Sequence, residues 1–276
     1  MLSLKSTAQR ALRRLHVYER AKASFLYDLF WRVADNRIIE ARNSEVEFYR
    51  NLLTGFRKGD LIFDIGANQG FKTEIFLRLG AKIVAVDPDK ANQTILEERF
   101  LKYRVVKKPV SVVGKAISDK SGSQTLWVDE PGSAKNTLNE KWVKILRVDG
   151  NKFGTPLGFR QSRIVEAVTL EDLIGAYGFP FFVKIDVEGY EPNVLRGLRR
   201  PVPYLSFEVN LPEFKDEGLE CLNLLERLAS YGRFNYTIDS QTKLAAEHWM
   251  NAKDFRRTLA RCPENSIEIF WRTLNS

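Results

Sequence analysis

Residues able to do acid–base chemistry crowd into one stretch, FFVKIDVEGYEPNVLRGL (181–198). It begins as a buried strand, yet Lys184 and Asp186 interrupt the apolar run two residues apart, so both point to one face. Glu188 and Glu191 follow across Gly189, and YLSFEVN (204–210) repeats the design with Glu208 and Asn210 at its end. Open α/β sheets bind ligands at the carboxyl ends of their strands. If these two strands are neighbours, Asp186, Glu188, Glu191 and Glu208 share one pocket mouth. Crowded like charges then raise some of each other's pKa values toward the range of a general base. Glu191 has a second reading, as an acid in the first turn of a helix, where the dipole favours it.

A second constellation lies upstream. LIFDIGANQGFKTEIF (61–76) reads as a strand ending in Asp64, a loop between Gly66 and Gly70, and a helix with Phe71, Ile75 and Leu79 on one face. KIVAVD (82–87) ends the next strand on Asp87, followed by Pro88. A dinucleotide site needs a bare second glycine so that the pyrophosphate can approach the backbone, but Asn68 holds that position and Phe71 the third. A P-loop would need Gly-Lys-Ser/Thr after the loop, and none follows. Asp87 stands about 20 residues beyond Gly66, the spacing of a ribose-binding carboxylate. The ligand this describes is a nucleoside without a diphosphate, with a slim tail beside Gly66, and S-adenosylmethionine answers to it. The simpler alternative, that Asp64 and Asp87 only cap loops, does not account for the ordered spacing of strand, acid, loop, helix, strand and acid.

FDIGANQG, VDPD, AISD and, above all, KIDVEGYEPNVLRG followed by LSFEVN resemble the FkbM family of S-adenosylmethionine-dependent methyltransferases. The resemblance implies a class I methyltransferase, a Rossmann-like α/β fold with a mostly parallel seven-stranded sheet and helices on both faces. It also implies methyl transfer to a hydroxyl of a sugar, glycan or polyketide-like small molecule. Asp64, Gly66, Asn68, Gly70 and Asp87 would line the cofactor, and Ala116 would pass near the adenine.

His16 and His248 both lie outside the motifs, so the base is expected to be a carboxylate or a lysine of lowered pKa. Asp186 or Glu188 takes the hydroxyl proton in this reading, with Lys184 and Glu208 ordering the site. An alternative uses a divalent metal on Asp186, Glu208 and Asn210, hard oxygen ligands suited to magnesium. Two further classes remain open: an NAD-dependent oxidoreductase, and a catalytically degenerate nucleoside-binding subunit. Nucleic acid is disfavoured as a partner, because an acidic mouth repels a polyanion.

These motifs need elements to carry them. Helices are expected over 89–102 and 214–231, and strands over 110–118, 123–128, 234–239 and 266–273, the last two as an antiparallel closing pair. Strands alternating with helices argue for a mostly parallel sheet. Residues 129–162 read as an irregular insertion over the active site, inside a Rossmann-like domain spanning 58–276. Residues 1–57 read as a helical extension, with Leu12, Leu15 and Tyr18 at helical spacing and a basic start suited to peripheral contact with anionic lipid. The chain has 276 residues, 44% hydrophobic and 28% charged, with a formal net charge of +8. That is the composition of a globular protein with an affinity for anions. Cys221 and Cys262 form no metal spacing and are expected to be reduced thiols of a cytoplasmic protein.

Overall fold

The computed structural model describes residues 36–101, 109–148, 158–238 and 242–273. Expectations for residues 1–35, including His16 and the lipid-facing helix, lie outside these. A 17-residue helix, α1 (Asn36–Leu52), precedes the strand β1 (Leu61–Ile65). Then come α2 (Phe71–Leu79), β2 (Lys82–Val86), α3 (Lys90–Arg99) and β3 (Val110–Val113). Next follow β4 (Ala116–Ile117), β5 (Gly122–Val128), α4 (Glu140–Val148) and β6 (Gln161–Val168). The chain continues through α5 (Leu170–Tyr177), β7 (Phe182–Ile185), α6 (Glu191–Arg196), β8 (Tyr204–Asn210) and α7 (Lys215–Leu228). It closes with β9 (Arg233–Ile238), α8 (Ala252–Ala260) and β10 (Ser266–Arg272).

Seven strands form one sheet in the order β3-β2-β1-β7-β8-β10-β9. All neighbours are parallel except β10, which runs antiparallel to both β8 and β9. The order reverses between β1 and β7, so the loops after these strands diverge and leave a crevice at their carboxyl ends.

Two expectations need correction. The strand expected over 110–118 breaks at Gly114–Lys115: β3 joins the main sheet, while β4 pairs with β6 in a separate three-stranded sheet. The segment 129–162 is not irregular throughout. Its α4 is strongly amphipathic and buries Trp142, Val143 and Leu146 in the main core. The glycines and prolines on either side disguised a helix whose apolar face is one stripe wide.

Alternation along each strand divides the core in two. One face carries Phe63, Ile65, Val183, Ile185, Leu205 and Phe207 against α4 to α8, and is apolar along its length. The other begins apolar, with Ile62, Phe182, Tyr204 and Phe270 packed on Tyr49 of α1 and Phe76 of α2. One step further along the same strands this face turns polar: Asp64, Lys184 and Ser206 are all buried. Burying such groups is unfavourable unless they are paired, and this half-face is where the site forms. Among the described residues, no helix is long and apolar enough to cross a membrane.

Candidate functional site

Strand register aligns the charged groups. Asp64 of β1 pairs in register with Lys184 of β7, which pairs with Ser206 of β8. Two residues on, Asp186 continues β7 beside Glu208 of β8, and Glu208 faces Glu268 of β10, which faces Thr237 of β9. Three carboxylates therefore stand in one row across three adjacent strands. Like charges directly opposite one another are destabilising, so the row must be neutralised locally.

Lys184 does part of this: its Nζ is 2.7 Å from Asp186 Oδ2, and only 4% of the residue is exposed. Burial disfavours the lysine's charge, but Asp186 and Asp64 outweigh it and hold the ammonium above its ordinary range. Burial likewise works against the Asp186 carboxylate, yet Lys184 and a hydrogen bond from Glu208 keep it below the usual range. Glu208 takes the opposite course. Burial, with Asp186 and Glu188 nearby, pushes it up to about 8. Glu208 thus carries a proton at neutral pH and shares it with an ionised Asp186. Serine hydroxyls finish the row reciprocally: Ser266 donates to Glu208 at 2.7 Å and Ser206 to Glu268 at 2.8 Å.

The turn after β7 is clamped by the segment expected to be a loose insertion. Glu188 sits at φ 53°, an uncommon left-handed conformation for a residue with a side chain. Thr137 donates to its carbonyl at 2.9 Å, and the Trp142 indole N–H to its carboxylate at 3.1 Å. Burial raises Glu188 to about 7. Glu191 does not join the pocket mouth. Its carboxylate folds back to accept the Val187 and Gly189 N–H groups at 3.1 and 3.3 Å, so it holds the turn.

The glycine loop lies against this turn. Gly66 and Asn68 both have positive φ, 78° and 48°, and asparagine is among the few residues that tolerate it. The Asn68 N–H donates to Asp87 at 2.8 Å, as does Asp89 at 2.9 Å, and the Asn92 amide adds a third bond at 3.2 Å. Burial raises Asp87 to about 6, against the pull of those donors. Asp89 caps α3 through Ala91 N–H and accepts from Gly132 N–H at 2.6 Å and Asn136 at 2.7 Å. It therefore fastens the 132–136 segment over the loop.

Two cavities result. One, of about 450 Å³, lies between the glycine loop, Asp87, the 132–138 segment and Glu188. The other, of about 560 Å³, lies under α1 and reaches Glu268. Lys72, Lys184, Asp186 and Glu208 border both. The first cavity suits a nucleoside with an amino-acid tail. Its buried Asp64 Oδ1 and Asn92 Oδ1 have no protein partner and await donors, while Asp64 Oδ2 is held by Thr73 at 2.5 Å.

Of the residues expected at the cofactor, Asp64, Gly66, Asn68 and Asp87 are on the wall of this cavity. Gly70 is set back as the N-cap of α2, and Ala116 is buried in β4 beyond the lining. Lys184, Asp186 and Glu208 come together as a group bordering both cavities, with Glu188 on the smaller one only. Asn210 borders neither cavity. Among the described residues no group of three or more His, Cys, Asp or Glu is disposed to hold a metal ion, and Asp186 commits its carboxylate to Lys184. Glu45, Tyr49, Lys72 and Glu268 went unnoticed in the sequence, since each sits in an ordinary amphipathic or alternating pattern.

No curated protein sequence matches the chain. Among solved structures it is similar to the methyltransferase FkbM from Methylobacillus flagellatus KT, with 14% identity and a TM-score of 0.50. That match covers 80% of this chain and 46% of the other, so this chain spans less than half the length of that relative. It also matches a precorrin-6y C5,15-methyltransferase from Geobacter metallireducens GS-15, at 9% identity and a TM-score of 0.43, covering 85% and 89% of the two chains. The fold is that of the class I methyltransferases. The methyltransferase FkbM domain matches residues 64–234, well over half of the sequence, and the chain belongs to the FkbM methyltransferase family, whose cofactor is S-adenosylmethionine.

Proposed function

We propose that the protein transfers a methyl group from S-adenosylmethionine to a hydroxyl oxygen of a sugar, glycan or polyketide-like small molecule. The observation that carries this reading is the shared wall: among the described residues, Lys72, Lys184, Asp186 and Glu208 line both cavities. Asp87 and Asn92 would hold the ribose, Asp64 the amino end of the tail, and the backbone of Gly66 to Gln69 would pass along it. Three protein donors already occupy Asp87, so Asn92 Oδ1 would take part of the ribose diol. Bound there, the cofactor supplies an electrophilic methyl group.

The acceptor enters the larger cavity and presents its hydroxyl at the wall. Holding two reactants in line contributes several kcal/mol, and a positioned base about 100- to 10,000-fold. The Asp186–Glu208 pair receives the hydroxyl proton as the oxygen–carbon bond forms and the carbon–sulfur bond breaks. Lys184 keeps Asp186 ionised and aimed. Glu188, held by Trp142 on the cofactor side, is placed to orient the donor rather than to take the proton.

Titration calorimetry with S-adenosylhomocysteine and, separately, NAD tests the donor site. Micromolar binding of the former, lost in Asp87→Ala, is expected; binding of NAD alone overturns the reading. For the chemistry, Asp186→Asn with full activity and an unchanged pH profile would remove that residue from the mechanism.

A further inference from the structure

The larger cavity has a polar and charged lining among its described residues. Its family-matched wall carries Lys72, Lys184, Ile185, Asp186 and Glu208, but other polar lining residues come from outside residues 64–234, among them Glu45 and Tyr49 on α1 and Glu268 on β10. Tyr49 packs its ring edge-on against Phe76 at 5.0 Å and is only 1% exposed, yet its hydroxyl has no hydrogen-bond partner among the described residues. An unmade hydrogen bond of that kind is costly inside a protein, unless a ligand completes it. Ser44, Thr237 and Thr242 also line the cavity.

Charge in the cavity is unevenly matched among the described residues. Lys72 pairs with Glu45, and Lys184 with Asp186. Glu268 accepts from the Ser206 hydroxyl and lies within electrostatic reach of both lysines, but forms no ion pair with either. With Glu208 protonated, the carboxylates of Glu45, Asp186 and Glu268 face the two ammonium groups of Lys72 and Lys184, an excess of one negative charge over the described lining. An apolar acceptor would leave the Tyr49 hydroxyl unpaired and the excess charge unmatched, and a phosphate or carboxylate would add to a lining already negative on balance.

We infer that the acceptor is a polyhydroxylated molecule, neutral or ammonium-bearing, selected by the Tyr49 hydroxyl as donor and the Glu268 carboxylate as acceptor. This rests on the cavity being the acceptor site of the methyl transfer proposed above. It narrows that proposal to the sugar side, away from an apolar polyketide, and excludes sugar phosphates and uronic acids. It also makes α1 and β10 the specificity elements of this protein.

The test uses the full chain saturated with S-adenosylhomocysteine and four probes: methyl glucoside, glucosamine, glucose 6-phosphate and cyclohexanol. Binding is read by saturation-transfer NMR titration. Methyl glucoside and glucosamine are expected to bind at least about 10-fold more tightly than the other two. Tyr49→Phe is expected to weaken both by about 3- to 10-fold while leaving the thermal midpoint equal or higher, because it deletes only an unpartnered hydroxyl. A residue that merely packed would show neither change in affinity. Glu268→Gln is expected to weaken glucosamine and to strengthen glucose 6-phosphate.

Three results would overturn the inference while leaving the donor site standing: phosphate binding as tight as glucoside, tighter binding of cyclohexanol, or no saturable binding of any sugar. Failure of S-adenosylhomocysteine itself to bind would instead overturn the methyl-transfer reading, and this one with it.

Discussion

Gly66 and Asp186 meet backbone to backbone: a β-carbon on Gly66 would lie 1.7 Å from the Asp186 carbonyl oxygen. Next to that contact the Asp186 N–H donates to the Ile65 carbonyl at 2.9 Å. The glycine loop and the acidic turn are therefore one rigid piece, although they are far apart in sequence. Gly66→Ala would add the strain of a left-handed residue, about 1–2 kcal/mol, to a clash that neither backbone can relieve. The expected outcome is a lower thermal midpoint together with about 100-fold weaker binding of S-adenosylhomocysteine. Unchanged affinity by calorimetry would show the contact to be dispensable.

Asp89 fastens the 132–136 segment over the smaller cavity while capping α3. Asp89→Ala should cost about 1 kcal/mol as a lost cap and, beyond that, weaken S-adenosylhomocysteine about 10-fold. Thr169→Ala is the control. It removes the capping box of α5, remote from the cavity, and should cost similar stability without touching affinity. Equal affinity losses in both variants would assign the effect to general destabilisation.

The rate should rise with pH. Glu208 holds its proton up to about 8 while Asp186 stays ionised far below that. Only above this value does the pair carry two negative charges and become a strong proton acceptor. A profile of kcat/KM over pH 6 to 9.5 should therefore climb through about 8 and level off, with Glu208→Gln abolishing the limb. A limb near 7 that survives in Glu208→Gln would point to Glu188 instead.

Stability should move the other way. Asp87 is raised to about 6, Glu188 to about 7, and Glu191 and Glu208 to about 8, in each case chiefly by burial. These acids bind protons more tightly folded than unfolded. Their contribution is complete below the unfolded carboxylate pKa and is lost as pH rises through the folded values. Asp186 and Glu74, lowered in the fold, give up their contribution only in acid, outside this window. The thermal midpoint is expected to fall from pH 5 to pH 8 and to fall less steeply in Glu191→Gln. A midpoint rising with pH across that range would contradict the buried-acid assignments.

Much of the site was legible because its signals are local. The run FFVKID and the turn VEGYEP sit within a few residues of each other, and a polar pair two apart in a buried strand is visible without a structure. The Gly66 loop and Asp87 are joined by a single helix, so their spacing survives in the sequence. What misled was also local: glycines and prolines around α4 masked a buried helix, and VSVVGKAIS looked continuous although it feeds two sheets.

The sequence by itself determined the α/β alternation, the two motifs and the family they belong to, because each depends on contacts within one βαβ unit. Only the tertiary structure decided that Asp186, Glu208 and Glu268 stand in one row. That depends on β10 inserting antiparallel between β8 and β9, a choice made by register across strands distant in sequence. The same holds for Glu45, Tyr49 and Lys72. Nothing in α1 or α2 marks them apart from other amphipathic positions until packing on the polar half-face turns one helix edge into the roof of a cavity.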